Sequence, residues 1–426
     1  MDKETIIEIL SDWNFWKTDR ETGIDRDSYL NEMERLAKTG QILAVTGVRR
    51  SGKSTLMKQF IKRQIARGRD RKSFLYVNFE EPKFMGLLSL DFLLQVYEAY
   101  MEIVKPKEKP FIFLDEVQNV PNWERFARSL HEKKEASVFV SGSTAKLLGA
   151  EIGAVLTGRW AEVKIYPLNF REFLTFKGLK TETALDIVSQ KLKIKQLLRE
   201  YLEFGGFPLV ALKDEKEDIL RRYLDDIVTR DIAARHKIRM PEKLNALVKY
   251  YLTNFSSHIS YRSIAKFLGL SLDTVERFSS YMAEAYIVFF VPKFSYSLKE
   301  QEVNPRMAYG IDLGLINIAG FRFMENLGKL YENAVFLSLI KNGREIYYYK
   351  NRGECDFLIR DRRKITAIQV SYQIKENKER EIRGLMECMN VFKLKEGFII
   401  TEDKEGEETI DDRKIIYKPL WKWLLM

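Results

Sequence analysis

The stretch GVRRSGKS at residues 47–54 constrains this chain more than any other, because it fits the phosphate-loop pattern G-x-x-x-x-G-K-[ST] at every fixed position. A short apolar run, Ile42–Thr46, precedes it and is typical of a buried parallel strand. Residues 54–64 follow, with apolar side chains on one face of a helix. Strand, glycine loop and helix in this order predict an α/β domain that binds nucleotide phosphates.

The residue types in this loop suit phosphate binding. Backbone N–H groups at a helix N-terminus attract anions, and glycine permits the backbone angles and the close approach that the loop needs. Lys53 supplies a positive charge to the β- and γ-phosphates, and Ser54 supplies a hydroxyl to Mg²⁺. The expected nucleotide-binding residues are Gly47, Val48, Arg49, Arg50, Ser51, Gly52, Lys53, Ser54 and Thr55.

A second element supplies acids to the same site. Four apolar residues at 111–114 end in Asp115 and Glu116, as in a buried strand that delivers carboxylates to the C-terminal edge of a sheet. We expect Asp115 to hold Mg²⁺ through water and Glu116 to polarise the water that attacks the γ-phosphate. A strand capped by two solvated acids is the alternative interpretation.

Composition limits the class of protein. A chain of 426 residues is too long for one core and suggests two or three domains. The net charge of +10 favours polyanionic partners such as nucleic acid. The two cysteines and three scattered histidines show no metal-ligand spacing. The two cysteines fit a reducing compartment. With no apolar run long enough for a membrane span and an acidic N-terminus, we expect a cytoplasmic protein without membrane contact.

Strand and helix patterns alternate between residues 41 and 177, which predicts a parallel sheet with helices on both faces. The strand candidates are residues 42–46, 73–79, 111–114, 137–141 and 162–165. The candidate at 73–79 falls between the phosphate loop and the acidic strand in sequence. This arrangement resembles the branch of P-loop ATPases that uses an extra central strand and a catalytic glutamate.

Three further features of this region have open interpretations. Ser143 follows the strand at 137–141, and we select it over Ser141 as the side chain that senses the γ-phosphate. Arg159 is a candidate for neutralising charge during phosphoryl transfer, in its own chain or in a neighbouring copy, and a surface arginine is an equal alternative. The aromatic cluster at residues 13–16 suits packing of a leading helix better than stacking on adenine.

Six segments together resemble a family of prokaryotic AAA-like ATPases: GVRRSGKST, FIFLDEVQNVPNWE, SGSTAKLL, LTGRW, YPLNFREF and YLEFGGFP. The resemblance covers nearly the whole chain and implies ATP as the ligand. It also implies a helical lid, a winged helix and an α/β restriction-endonuclease-like domain after the ATPase domain. The expected boundaries are 1–178 for the ATPase domain with its N-terminal helices, 179–245 for the lid, 246–300 for the winged helix and 301–426 for the nuclease-like domain.

Residues 259–294 fit a winged helix-turn-helix. Ser260 caps a helix at 261–268, a turn follows at 269–271, and the second helix begins at Leu272. Residues 287–290 and 293–296 are the expected wing. Because the second helix carries Asp273 and Glu276, which oppose contact with phosphates, binding of double-stranded DNA and binding of a protein partner both stay open.

The C-terminal part carries a second candidate metal site at Glu332, Asp356 and Gln369. Restriction-type nucleases use an acid on a helix, an acid on a strand and an E-x-K pair one strand further on. Glu332 and Asp356 match, but residues 369–371 read Gln-Val-Ser and lack both the carboxylate and the lysine. We therefore expect the fold without efficient cleavage. Basic residues at 350–364, including Arg362 and Arg363, suit either a phosphate backbone or a solvated surface.

These patterns predict a Mg²⁺-dependent ATP hydrolase that acts with or on DNA and carries an inactive nuclease-like domain. One alternative is an ATP-dependent DNA nuclease working at Glu332 and Asp356. Another is an ATP-controlled switch for assembly with a protein partner, without DNA. A homo-oligomer is compatible with each of these, because Arg159 could serve a neighbouring copy.

Overall fold

The structure is a computed structural model that describes residues 1–143, 156, 158–320, 327–341, 343–362 and 364–426, the side chains of 375–377 apart. The chain forms two compact units, Met1–Ile165 and Tyr166–Met426. The segment predicted as a lid, residues 179–245, lies in the second unit. Within the described ranges, no helix has both the length and the apolar character needed to cross a bilayer.

The first unit is a five-stranded sheet covered by helices. The strands are β1 (Ile42–Thr46), β2 (Phe74–Asn78), β3 (Phe111–Asp115), β4 (Ser137–Gly142) and β5 (Trp160–Lys164). The helices are α1 (Lys3–Ser11), α2 (Asp27–Ala37), α3 (Lys53–Ala66), α4 (Leu90–Ala99) and α5 (Trp123–Glu132), with a π-helical turn at Tyr100–Val104 and short 3₁₀ turns at Arg71–Ser73, Pro82–Phe84 and Val117–Asn119. All neighbouring strands run parallel, as predicted.

The strand order, β2-β3-β4-β1-β5, corrects one prediction. The strand that separates the phosphate-loop strand β1 from the acidic strand β3 is β4, which follows β3 in sequence. The strand at 74–78 lies at the edge of the sheet instead. The extra central strand is therefore present, but it is formed by a different segment from the one that lies between the two motifs in sequence.

Alternating side chains of β1 pack into two separate layers. Ile42 and Ala44 join a core with α1, α4 and α5, whereas Leu43 and Val45 join a core with α2 and α3. Helices thus cover both faces, as the alternation in the sequence predicts. The aromatic cluster packs against this unit: the ring of Trp13 stacks on Tyr76 with centroids 6.4 Å apart.

The second unit contains many helices and two sheets. Its helices are α6 (Phe170–Phe176), α7 (Ala184–Ser189), α8 (Lys191–Phe204), α9 (Pro208–Leu212), α10 (Lys216–Asp226), α11 (Pro241–Thr253), α12 (Tyr261–Leu268), α13 (Leu272–Glu284), α14 (Leu298–Val303), α15 (Leu313–Ala319), α16 (Leu327–Ile340), α17 (Ile374–Val391) and α18 (Leu420–Trp423), with a π-helical stretch at Ile227–Ala234. Its strands are β6 (Ser257–Ile259), β7 (Val288–Val291), β8 (Arg306–Gly310), β9 (Glu345–Lys350), β10 (Glu354–Asp361), β11 (Lys364–Val370), β12 (Glu396–Thr401), β13 (Gly406–Ile410) and β14 (Arg413–Pro419).

Helices α11–α13 accompany an antiparallel sheet of order β6-β8-β7. The side chain of Ser260 caps α12, and that of Ser271 caps α13 by accepting from the backbone N–H of Thr274 at 3.2 Å. The predicted second wing strand at 293–296 is wrong, because β7 pairs with β8 at 306–310. Lys293 instead forms an isolated β-bridge with Tyr348 of β9.

The larger sheet of the second unit has the order β13-β14-β12-β11-β10-β9. Strands β9, β10 and β11 are antiparallel neighbours, and β12 runs parallel to both β11 and β14. Helix α16 precedes β9, and α17 connects β11 to β12 while packing against β10 and β11 through Leu385, Cys388 and Met389. This mixed α/β arrangement places Glu332 on α16, Asp356 on β10 and Gln369 on β11.

Two adjacent glycines of the YLEFGGFP segment fit against a buried carboxylate. Asp312 caps α15 by accepting from the backbone N–H groups of Gly314 (2.9 Å) and Leu315 (3.2 Å), and it also accepts from Gly206 (2.7 Å). A Cβ atom on Gly206 would lie 2.2 Å from the carbonyl oxygen of Leu168. Close packing, as well as the predicted turn, therefore requires glycine here. Burial raises the pKa of Asp312 to about 6, although the three N–H donors oppose the shift.

Candidate functional site

The phosphate loop leaves the C-terminal end of β1 and enters α3. Gly47 and Gly52 have φ angles of 137° and 102°, and Arg50 also adopts a left-handed conformation with φ of 69°. A Cβ atom on Gly47 would lie 2.0 Å from the carbonyl oxygen of Ile165. Glycine at position 47 is therefore required by both backbone angle and space, as the motif predicts.

Lys53 is the first residue of α3, and its side chain folds back over the loop. Its ammonium donates to the carbonyl oxygens of Gly47 (3.1 Å) and Val48 (3.3 Å) and is largely buried. Both partners are neutral acceptors. The positive charge is thus held at the concave side of a loop at a helix N-terminus, where a phosphate is favoured.

Asp115 ends β3 and is held from both neighbouring strands. The hydroxyl of Tyr76 on β2 donates to one carboxylate oxygen, and the hydroxyl of Ser141 on β4 donates to the other. The hydroxyl of Ser54, at the start of α3, is close enough to the same carboxylate to lower its pKa. Burial and the charge of Glu116 raise the pKa of Asp115, against the opposing effect of these three hydroxyls. Ser54 and Asp115 thus bring a hydroxyl and a carboxylate close together, and Mg²⁺ prefers oxygen ligands of this kind.

Glu116 follows Asp115 with a left-handed backbone, φ 53°, which is unusual for this residue type and recurs at functional sites. Its backbone N–H donates to the hydroxyl of Ser141 at 3.1 Å, and the side-chain amide of Gln118 donates to its carboxylate at 2.5 Å. The carboxylate is mostly buried at the same edge of the sheet as the phosphate loop. It is therefore positioned to accept a proton from a water near the phosphates.

Two further predicted residues have different outcomes. Ser143 is buried just after β4, at the same edge of the sheet, while Ser141 is the serine that contacts Asp115. Arg159 lies at the opposite edge: its carbonyl oxygen accepts from Ile42 at the start of β1, and its side chain pairs with Glu132 at 3.2 Å. The five residues of β1 separate it from the loop by roughly 16 Å at about 3.3 Å per residue. Its predicted role at the phosphates of its own chain is therefore wrong, whereas action on a neighbouring copy stays a prediction.

Two further residues contact this region without any signal in the sequence, Arg26 and Tyr76. The buried guanidinium of Arg26 donates to the carbonyl oxygen of Ser51 in the phosphate loop at 3.0 Å and lies 4.5 Å from the ring centre of Tyr29. Tyr76 reaches Asp115 from the neighbouring strand. Neither residue belongs to a motif, because its contact with the site arises only from the packing of the folded chain.

The second candidate site joins Asp356 and Gln369 in a hydrogen-bond network, and Glu332 lies close enough for its charge to act on Asp356. The hydroxyl of Tyr309 donates to Glu332 at 2.6 Å, and Asp356 accepts from the backbone N–H of Val370 at 2.8 Å. Burial raises the pKa of both carboxyls, and the charge of Glu332 raises that of Asp356 further. In the described part of the chain, no three His, Cys, Asp or Glu side chains are grouped so that they could hold a metal ion.

Gln369 closes this network. Its carbonyl oxygen accepts from the backbone N–H of Asp356 at 3.2 Å, and its amide donates to Glu381 of α17 at 2.6 Å. Glu381 lies on a helix, whereas the nuclease pattern predicts the third acid on the strand, so the sequence pattern does not include it. An amide committed to these two partners cannot supply the negative charge that a carboxylate would bring to a cation.

Comparison with known proteins places the first unit in a described family. Residues 39–174 match the AAA domain family, and residues 195–325 and 327–423 match two families that are each described as a domain of unknown function, DUF8612 and DUF4143. The AAA domain agrees with the parallel sheet and phosphate loop described above.

Relatives match most of the chain. The uncharacterized protein MJ1544 of Methanocaldococcus jannaschii is 34% identical over 405 residues, which cover 90% of this chain and 88% of the relative. An uncharacterized protein of Haemophilus influenzae is 29% identical over 409 residues, covering 93% and 98%.

Two solved structures are similar at low TM-scores. AMPPCP-bound DnaA from Aquifex aeolicus has a TM-score of 0.26 and 14% identity, over 64% of this chain and 93% of that chain. C. elegans PCH-2 has a TM-score of 0.26 and 11% identity, over 59% and 67%. From the AAA match and the relationship to MJ1544 along most of both sequences, the chain belongs to the family of AAA-domain proteins that includes MJ1544.

Proposed function

We propose that this protein binds Mg²⁺-ATP at the phosphate loop and hydrolyses it. The observation that carries the proposal is the convergence of Lys53, Asp115 and Glu116 at one edge of a parallel sheet in which β4 separates β1 from β3. A chance match to a glycine-loop pattern would not bring two acids from a distant strand to the same edge.

Each residue has a distinct role in the proposed reaction. The loop backbone and Lys53 hold the β- and γ-phosphates, which replace the carbonyl oxygens that the ammonium contacts here. Ser54 and, through water, Asp115 would hold Mg²⁺, which neutralises charge on the phosphates. Glu116 accepts a proton from the attacking water, and Gln118 fixes the carboxylate for that step. Ser143 stays the proposed sensor of the γ-phosphate.

ATP binding and turnover of two variants test the proposal. Lys53→Ala should weaken binding of a fluorescent ATP analogue by at least about tenfold, because a charge-assisted contact to phosphate is lost. Glu116→Gln should bind the analogue as the wild type does and lose about 100-fold or more in turnover, since the proton acceptor is gone.

Lys62→Ala is the matched control, because it removes an exposed lysine from the same helix. It should change neither quantity. Equal binding by Lys53→Ala and wild type, or undiminished turnover by Glu116→Gln, would contradict the proposed roles.

We further propose that residues 241–310 form a winged helix that contacts double-stranded DNA. Support comes from the order of elements: α11, β6, α12, α13, β7, the short helix α14 and β8 in sequence, with the sheet order β6-β8-β7. The exposed acid Asp273 is partly neutralised by Arg277, 3.3 Å away, which reduces its repulsion of phosphates. The net charge of +10 also favours a polyanion.

For the C-terminal domain we propose a restriction-endonuclease-like fold that does not cleave DNA. The helix before three antiparallel strands, and the parallel strand after α17, support the fold. Gln369 is hydrogen-bonded to Asp356 and Glu381, and this supports the loss of DNA cleavage. Incubation of supercoiled plasmid with the protein and Mg²⁺ or Mn²⁺ should leave the plasmid intact. Nicking that disappears in Asp356→Asn would instead support the alternative of a DNA nuclease.

A further inference from the structure

The carboxylate of Asp115 accepts hydrogen bonds from hydroxyl groups on both neighbouring strands. Tyr76 on β2 donates to one oxygen and Ser141 on β4 donates to the other, and the structure buries both donors. Serine has a short side chain, so Ser141 contacts Asp115 from close by. On β2 the residue paired with Asp115 is Asn78. Tyr76 lies two residues before Asn78 and reaches Asp115 through its longer side chain. Rotation of the carboxylate would break at least one of these bonds.

Tyr76 itself is fixed by the N-terminal segment. Its backbone N–H donates to Asn14 at 2.7 Å, and its carbonyl oxygen accepts from the same side chain at 2.9 Å. The ring stacks on Trp13, and the ammonium of Lys58 on α3 lies 5.0 Å from its centre. The phenol therefore has little freedom to leave Asp115, which suits a group that must hold another side chain in one orientation.

From this geometry we propose that Tyr76 is a positioning residue: together with Ser141, its hydroxyl orients the carboxylate of Asp115 towards the Mg²⁺ of bound ATP. The inference rests on the proposed function of the phosphate loop. A carboxylate that accepts from one donor at each oxygen is fixed in one orientation and keeps further lone pairs for the metal's water. Without Tyr76 the carboxylate would rotate, and binding of the metal would weaken while binding of the nucleotide alone would not.

Tyr100 provides a matched control within the same unit. It too is fully buried, stacks on a tryptophan (Trp16, centroids 6.0 Å apart), and donates its hydroxyl to one acceptor, the carbonyl oxygen of Lys72 at 2.7 Å. Tyr100→Phe removes a buried hydroxyl and its hydrogen bond to a neutral carbonyl, without touching Asp115. Any effect of Tyr76→Phe that Tyr100→Phe does not share is then specific to the site.

The test measures Mn²⁺, as a substitute for Mg²⁺, binding to the protein–ATP complex by the loss of its free EPR signal. Binding of a fluorescent ATP analogue in EDTA reports the nucleotide alone. Tyr76→Phe should raise the half-saturating Mn²⁺ concentration about tenfold, the effect of losing one hydrogen bond to a charged group. Its affinity for the analogue in EDTA should stay within about twofold of wild type. Tyr100→Phe should change neither quantity, although both variants lose some thermal stability.

An unchanged or lowered half-saturating Mn²⁺ concentration in Tyr76→Phe would overturn the inference. If that variant does not fold, Ser141→Ala takes its place, since it removes the donor to the other oxygen: a rise in its half-saturating Mn²⁺ concentration supports the inference, and no rise overturns it. Failure of the wild type to bind nucleotide with or without metal would refute the proposed function itself. Normal nucleotide binding with metal binding unaffected in both variants would refute only the role of Tyr76.

Discussion

Single buried carboxylates connect distant segments of this chain, and Asp312 is a clear case. It joins the N-terminus of α15 to the glycine pair that follows α8, more than 100 residues earlier. Three backbone N–H donors favour the ionised carboxylate, yet full burial outweighs them and raises the pKa from 3.8 to about 6. The folded state therefore holds a proton on Asp312 at pH values where the unfolded chain has released it.

This shift predicts the pH dependence of stability. Because the pKa in the folded state is the higher one, the stabilising contribution is fully present below pH of about 4 and falls as pH rises to about 6. The fall amounts to roughly 3 kcal/mol at about 1.4 kcal/mol for each pKa unit. Asp312→Asn resembles the protonated form, so its stability relative to wild type should improve by that amount from pH 4 to pH 7. Urea unfolding at a series of pH values measures the difference, and a difference independent of pH would contradict the prediction.

Residues that lie in motifs could be placed in the site from sequence, and residues that reach it through folding could not. Lys53, Asp115 and Glu116 meet at one sheet edge because parallel strands bring their C-terminal ends together. Tyr76 and Arg26 contact the same site from outside any motif, as an edge strand and an N-terminal segment pack beside it. Arg159 is the opposite case. It is close to a motif in sequence, but it lies just before β5, at the end of the sheet opposite the phosphate loop.

Individual elements were predicted better than their neighbours in the sheets. Each strand of the first unit was found within one or two residues of its predicted bounds, because apolar runs mark buried strands. Pairing depends on crossovers that sequence periodicity does not contain. For that reason the sequence favours 73–79 as the central strand, whereas the structure has β4 in that position. Likewise, the sequence favours 293–296 as the second wing strand, whereas β7 pairs with β8.

The glycine pair after α8 gives a prediction at the scale of packed elements. Gly206→Ala would place a Cβ atom 2.2 Å from the carbonyl oxygen of Leu168, and a backbone oxygen cannot move aside as a flexible side chain can. We expect the free energy of unfolding to fall by about 2–4 kcal/mol, the upper range for overpacking. Thermal unfolding followed by circular dichroism measures the loss.

Gly328→Ala is the matched control, because it makes the same change at a glycine in α16 where no atom of the described residues lies within 4 Å of the added atom. It should be neutral or stabilise by up to about 1 kcal/mol through helix propensity. If both variants lost stability equally, the close approach to Leu168 would not be the cause.

Across the whole molecule, the first unit carries the proposed nucleotide site and the second supplies the surfaces proposed to contact other molecules. Of these proposals, DNA contact through α13 depends most directly on the charges at the surface. Helix α13 exposes Asp273, Glu276 and Arg277, so the surface that would face DNA carries two acids and one base. Binding should therefore be weak, and removal of an acid should strengthen it.

Glu276→Lys should raise the affinity for a 20-base-pair duplex about tenfold at 50 mM salt and steepen the dependence of binding on salt by about one counterion, since a phosphate contact replaces a repulsion. Fluorescence anisotropy at 50 and 200 mM salt measures both effects. Asp218→Lys adds the same charge at an exposed site on α10, and a general attraction would affect the two variants alike. A larger gain for Glu276→Lys would locate the DNA at α13. Equal gains would remove α13 from the interface and favour a protein partner for this helix.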